Sequence, residues 1–177
     1  MIHFLRRHDP EVKIDVVEID SLVIQVAGRF FGVRSGSNLN ILNQDGFVYL
    51  RTTDTRYDVI YLDAFLKPSP LTDATGVPLV LKTIHFYQEI QKKLTADGLV
   101  VFNLNPHDGL VTDLQNIRDG FPQVYVFPLP QDQGVIAVAS IAQDRLDPAK
   151  LLAEGRRLDQ RFQTSYSFQD MVRRLDK

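Results

Sequence analysis

The sequence predicts an α/β chain: a doubly wound, mostly parallel sheet closing on a C-terminal antiparallel hairpin. Two observations carry this expectation. Short strand-like runs, Ile14 to Val17, Leu39 to Leu42, Tyr57 to Leu62 and Leu99 to Asn103, alternate with stretches whose apolar residues recur at helical spacing. The alternation then stops, and Val124 to Phe127 and Val135 to Ile141 flank the turn Pro130 to Gly134, as in a hairpin.

The elements follow in order. Ile2 to His8 reads as the end of a helix, stopped by Asp9-Pro10. After the first strand, Asp20 or Ser21 caps a helix with Leu22, Val23, Val26, Ala27 and Phe30 on one face, ended at Gly32. Arg34 to Asn38 is a loop. Asp45-Gly46 turns the second strand into a brief helix carrying Phe47 and Leu50. Ala64 to Pro78 holds three prolines and no clear period, so a long loop at a strand end is expected, a position often occupied by lids. Leu79 to Leu94 is predicted as one helix, apolar at Leu81, Ile84, Tyr87, Ile90 and Leu94, closing at Asp97-Gly98. Helices are also expected over Leu110 to Gly120, Pro148 to Phe162 and about Phe168 to Leu175. Phe30, Phe31, Phe47, Phe86 and Phe102 fall at core spacing.

Composition narrows the function. At 177 residues, 44% hydrophobic and 24% charged, one soluble domain over 1–177 with a sizeable core is expected. A net charge of -2 and the absence of a basic run give no reason to expect nucleic acid or an anionic membrane as partner. No apolar run is long enough to cross a bilayer, and with no cysteine there is neither a disulfide framework nor thiolate chemistry, so a cytoplasmic protein is expected. His3, His8, His85 and His107 are scattered without metal-ligand spacing, so no metal is expected, and His107-Asp108 reads as a loop turn at the ligand edge. No nucleophile elbow or phosphate-cradling loop points to a hydrolase or triphosphatase.

What remains is acidic. Three successive strand ends carry carboxylates: Glu18 with Asp20, Asp45 followed by Gly46, and Asp63. Ligands of open α/β sheets sit outside the carboxyl ends of the strands, where a carboxylate can accept from both hydroxyls of a ribose. Glu18 is the candidate for that role, Asp45 for the adenine amino group, and Asp63 for attracting an ammonium or acting as a base. Each alone is equally well read as a cap or a turn.

The ordered series Ile14-Asp-Val-Val-Glu-Ile-Asp20, Asp45-Gly46, Tyr57-Asp-Val-Ile-Tyr-Leu-Asp63-Ala-Phe, Pro78, Phe86-Tyr87 and Leu99-Val-Val-Phe-Asn103 resembles the spermidine synthase-like proteins, polyamine aminopropyltransferases with the Rossmann-like class I methyltransferase fold. The resemblance implies Glu18, Asp20, Asp45 and Gly46 as donor-binding residues and Asp63 as catalytic. It further implies S-adenosylmethionine or its decarboxylated form as co-substrate and a small amine as acceptor. The family's glycine-rich loop and first strand would fall before Met1, and its N-terminal β-domain is not in the sequence. Leu66 stands where polyamine synthases carry a second Asp, and His85 where the synthase-like branch commonly has Glu. Two readings therefore stand: a transferase moving an aminopropyl or methyl group, and a non-catalytic remnant of the fold acting through association. The family's first strand would lie between Ile14 to Val17 and Val59 to Leu62. Without it, those two strands are expected either to pair directly or to have another chain between them, and the second, a homo-oligomer, is favoured because Ile2 to Leu5 and the exposed strand edges offer apolar surface that a monomer would leave in water.

Overall fold

A computed structural model describes residues 1–175. The chain forms two compact units, Met1–Asp54 and Thr55–Lys177.

The first unit comprises α1 (Ile2–His8), β1 (Ile14–Glu18), α2 (Ser21–Phe30), β2 (Leu39–Asn43) and α3 (Gly46–Thr52). β1 and β2 pair in parallel, in register from Ile14 opposite Leu39 to Glu18 opposite Asn43. Leu39 is fully buried. Asp20 is the N-cap of α2, its carboxylate accepting from the Leu22 amide at 2.8 Å, which satisfies a donor that the first helical turn leaves unpaired. The expectation of Phe30 and Phe31 as core is corrected: they are 67% and 65% exposed, and Leu22, Val23 and Val26 beside them are exposed too. A two-stranded sheet is too narrow to cover the whole apolar stripe of a helix.

In the second unit β3 (Tyr57–Leu62), β4 (Leu94–Leu104), β5 (Gln123–Pro128) and β6 (Val135–Ser140) form a sheet of order β3-β4-β6-β5. β3 and β4 are parallel, whereas β6 runs antiparallel to both β4 and β5, so the terminal hairpin folds back into the sheet. Among the described residues β3, at the edge of this sheet, pairs with β4 alone. α4 (Ile84–Gln91) and α5 (Leu110–Gly120) supply the core, with Phe86, Tyr87, Ile90, Ile117 and Phe121 buried. Tyr87, Phe102 and Phe121 meet in a cluster with ring centroids 5.6 to 6.0 Å apart, a spacing that favours edge-to-face contact.

The single helix expected over Leu79 to Leu94 is instead three pieces. Leu79–Lys82 is a 3-10 turn, and Thr83 then adopts an extended backbone. Its hydroxyl accepts from the Phe86 amide at 3.2 Å and also lies 2.9 Å from the Val80 carbonyl, so it ends one helix and caps the next. Apolar periodicity does not register such a break. Leu94, read as the helix end, opens β4, and the register slips from Tyr57 opposite Leu94 to Val59 opposite Leu99. Asp97-Gly98 thus lies in a strand irregularity and not at a helix stop. Gly98 is required there, since a Cβ would come within 2.7 Å of the Leu94 Cβ.

α6 (Pro148–Phe162) and α7 (Phe168–Arg173) form the C-terminal helix pair. The second helix is shorter than the expected span to Leu175. The pair closes tightly at Gly155, where a Cβ would lie 3.0 Å from the Gln169 backbone, and Asp159 accepts from the Ser167 hydroxyl and the Phe168 amide at 2.7 and 2.5 Å. Gly155→Val is therefore expected to destabilise the protein by about 1–3 kcal/mol through overpacking. Thermal unfolding measures this, and an unchanged midpoint would show that the helices do not depend on that close approach. No helix among the described residues is long and apolar enough to cross a membrane.

Candidate functional site

In the first unit, parallel pairing brings the carboxyl ends of β1 and β2 to one edge. Glu18 is the last residue of β1, and its Oε1 accepts from the Asp20 amide at 2.8 Å. The turn behind it is fixed by Asn43 at the end of β2, whose amide group donates to the Glu18 and Ile19 carbonyls, each at 3.0 Å. The Gln44 amide adds a second bond to the Glu18 carbonyl at 3.1 Å. Asp45 caps α3, with Oδ1 accepting from the Phe47 and Val48 amides at 2.7 and 3.2 Å. A Cβ on Gly46 would meet nothing within 4 Å, so the backbone is open to close approach at that turn. Glu18, Asp20, Asp45 and Gly46 thus occupy the turns that follow β1 and β2. Each of the three carboxylates holds its own turn through one oxygen, and an acceptor oxygen remains on each.

In the second unit Asp63 follows β3 directly. Leu62 is registered against Phe102, so the next residue on each strand faces its counterpart, and the Asn103 side chain donates to Asp63 Oδ1 at 2.9 Å. Asn103 fixes the carboxylate without neutralising it.

Behind that strand end lies a cluster that sequence reasoning missed. The Lys82 ammonium donates to Asp73 Oδ2 and to Asp113 Oδ2. His107 Nε2 lies 2.9 Å from the same Asp113 oxygen and 3.8 Å from Asp73 Oδ2. The Gly109 amide donates to His107 Nδ1 at 3.0 Å, so in the neutral ring the proton sits on Nε2, directed at Asp113. His107 does lie in the loop after β4 as expected, but its ring is 13% exposed and committed to this network rather than to a simple turn. Asp73, His107 and Asp113 present donor atoms within 4.8 Å of one another, the form of a metal site, but here the ammonium is the bound cation. A cavity of about 20 Å³, sufficient for one water, lies against Leu62, Ala64, Asn103, Lys82, Tyr87 and Asp113.

One charge of this cluster, that of Asp73, is perturbed. Burial opposes ionisation of Asp73, but bonds from Lys82, the Thr75 hydroxyl and the Val77 and Thr75 amides outweigh it and hold the carboxyl well below the usual range. Burial, reinforced by the Asp113 charge, pushes the Tyr87 phenol up. At Asp159 burial is again outweighed, by bonds from Ser167, Phe168 and Gln169, and its pKa is lowered. A depressed carboxyl contributes stability that is present above its unfolded pKa and lost as pH falls below it. Stability is therefore expected to drop below about pH 4, and Asp73→Asn to flatten that acid limb while lowering stability at neutral pH. Urea midpoints from pH 2 to 7 measure both, and an acid limb equally steep in the variant would remove Asp73 from the account.

Residues 1–147 match the family model described as spermine/spermidine synthase domain, so α6 and α7 lie beyond the match. A polyamine aminopropyltransferase of Vibrio vulnificus is 30% identical over 136 residues, covering 75% of this chain and 43% of that protein. The eEF1A lysine and N-terminal methyltransferase of Mus musculus is 30% identical over 129 residues, 70% of this chain and 18% of that protein. The chain thus spans less than half the length of either relative. Among solved structures, human methyltransferase-like protein 13 in complex with SAH superposes with a TM-score of 0.82 at 24% identity, covering 94% of this chain and 78% of that one. Spermidine synthase from Thermotoga maritima gives 0.69 at 21%, covering 99% and 61%. These likenesses show the Rossmann-like methyltransferase fold.

Proposed function

Because this chain belongs to the spermine/spermidine synthase domain family, we propose that it is a transferase moving an aminopropyl or methyl group from an S-adenosyl donor to a small amine. The family match over residues 1–147, carrying acidic residues at three successive strand ends, is the observation that supports the reading most. In this reading the Glu18 carboxylate accepts from the ribose hydroxyls, and Asp45 accepts from the adenine amine through the oxygen its helix cap leaves over. Gly46 lets the base approach the turn, and Asp20 shapes the Glu18 turn by capping α2.

Asp63 attracts the substrate ammonium. Once the amine has lost a proton, its lone pair attacks the carbon next to the sulfonium. The new C–N bond forms as the C–S bond breaks, and the sulfur leaves as a neutral thioether. The second proton released from nitrogen passes to Asp63 or to solvent, and Asn103 keeps that carboxylate oriented throughout. The thioether identifies the reaction: methylthioadenosine if an aminopropyl group moves, S-adenosylhomocysteine if a methyl group does. Incubation with each donor and a panel of diamines, with chromatographic detection of the thioether, tests the proposal. Release of neither thioether would contradict it.

A second reading, a non-catalytic module acting through association, draws on the uncovered apolar stripe of α2 and on the capping work that Asp20 and Asp45 already perform. It predicts a concentration-dependent oligomer in sedimentation with no nucleoside binding. A monomer at micromolar concentration would contradict it.

A further inference from the structure

The segment 64–78 starts immediately after Asp63 and is folded on itself. Leu66 N–H bonds the Gly76 carbonyl at 2.8 Å, Asp73 N–H the Val77 carbonyl at 2.9 Å, and Thr72 bridges Pro78. These bonds shape the segment but do not determine where it rests. Its charged tether is Asp73, whose Oδ1 gathers the Thr75 and Val77 amides of the segment while Oδ2 takes the Lys82 ammonium. Lys82, on the 3-10 turn, reaches Asp113 on α5 with the same ammonium, and His107 from the loop after β4 closes the group. Four stretches of chain therefore meet in one group, with Asp73 and Asp113 on the ammonium and His107 on the carboxylates. The Asp73 and Asp113 side chains are only 9% and 10% exposed, so without that cation two buried anions would face each other with little water to screen them.

We propose that Lys82 is a positioning residue whose ammonium latches segment 64–78 to α5 and the loop after β4, and that the group left by its truncation, Asp73, His107 and Asp113, takes a divalent cation in its place. One imidazole and two carboxylates are a donor set zinc accepts, and their donor atoms lie within 4.8 Å of one another; ligation through Nε2 requires His107 to shift its proton to Nδ1 and give up the bond from the Gly109 amide. In the native chain the ammonium excludes such an ion by both charge and occupancy. The latch also bears on Asp63, because the segment it holds is continuous with that strand end. The inference does not depend on the transferase reading.

Hydrogen exchange on the full chain tests it. In Lys82→Ala, peptides covering 64–78 are expected to exchange on the order of tenfold faster, while those of β5 and β6 stay as in the wild type. Added Zn²⁺ should restore protection in this variant but not in Lys82→Ala/His107→Ala, and calorimetry should show one more zinc bound per Lys82→Ala chain than per wild-type chain. If Lys82→Ala folds only with Zn²⁺ present, that rescue supports the proposal equally. Unchanged exchange in 64–78, acceleration spread evenly over the chain, or failure of Zn²⁺ to restore protection or folding would overturn it.

Discussion

Asp63→Asn is expected to lower turnover by about 10²–10⁴-fold while leaving nucleoside affinity nearly unchanged. The substitution is nearly isosteric, and the bond from Asn103 to Oδ1 survives in the amide, so the strand end keeps its shape. What disappears is the negative charge that, in the proposed reaction, draws the ammonium in and can take its proton. The effect belongs on the rate and not on donor binding. Steady-state kinetics beside calorimetric donor affinity separates the two, and equal losses in both would make Asp63 a donor-binding or structural residue. Asn103→Ala is a useful companion: it keeps the charge but frees its orientation, so it should cost less than Asp63→Asn.

Glu18→Ala is expected to weaken nucleoside binding by about 1.5–3 kcal/mol, roughly ten- to 150-fold, the usual loss when a charged acceptor of ligand hydrogen bonds is removed. The fold should tolerate it. The side chain's bond to the Asp20 amide lies in an exposed turn, and that turn is still held by Asn43 and Gln44 through the Glu18 carbonyl. Calorimetry with the donor nucleoside, paired with a thermal-unfolding control, measures the effect. Normal binding by a folded Glu18→Ala chain would refute the assignment of the ribose site.

The contrast between these residues and the ones found only in the structure shows what a sequence makes legible. Glu18, Asp45 and Asp63 stand where apolar runs end, and a strand ending in an acid is visible in one dimension. The side chains that orient or surround them are not. Asn43 acts on Glu18 through the β1-β2 register, Asn103 acts on Asp63 through the β3-β4 register, and neither register is encoded in local periodicity. Lys82 meets Asp73 from 9 residues away and Asp113 from 31, so its cluster exists only after folding. Within Leu79 to Leu94 the apolar spacing suggests a helix, but one hydroxyl at Thr83 overrides it. Phe30 and Phe31 carry a core-like spacing, yet burial depends on the width of what lies beneath the helix, which spacing does not report.

Calorimetric titration of the purified protein with S-adenosylmethionine, its decarboxylated form and methylthioadenosine tests most directly whether this chain holds an S-adenosyl-type nucleoside, as proposed. At least one is predicted to bind at a single site, and at a hundred times its dissociation constant to stabilise the fold by about 2.7 kcal/mol. Absence of both heat and thermal shift with all three nucleosides would contradict it.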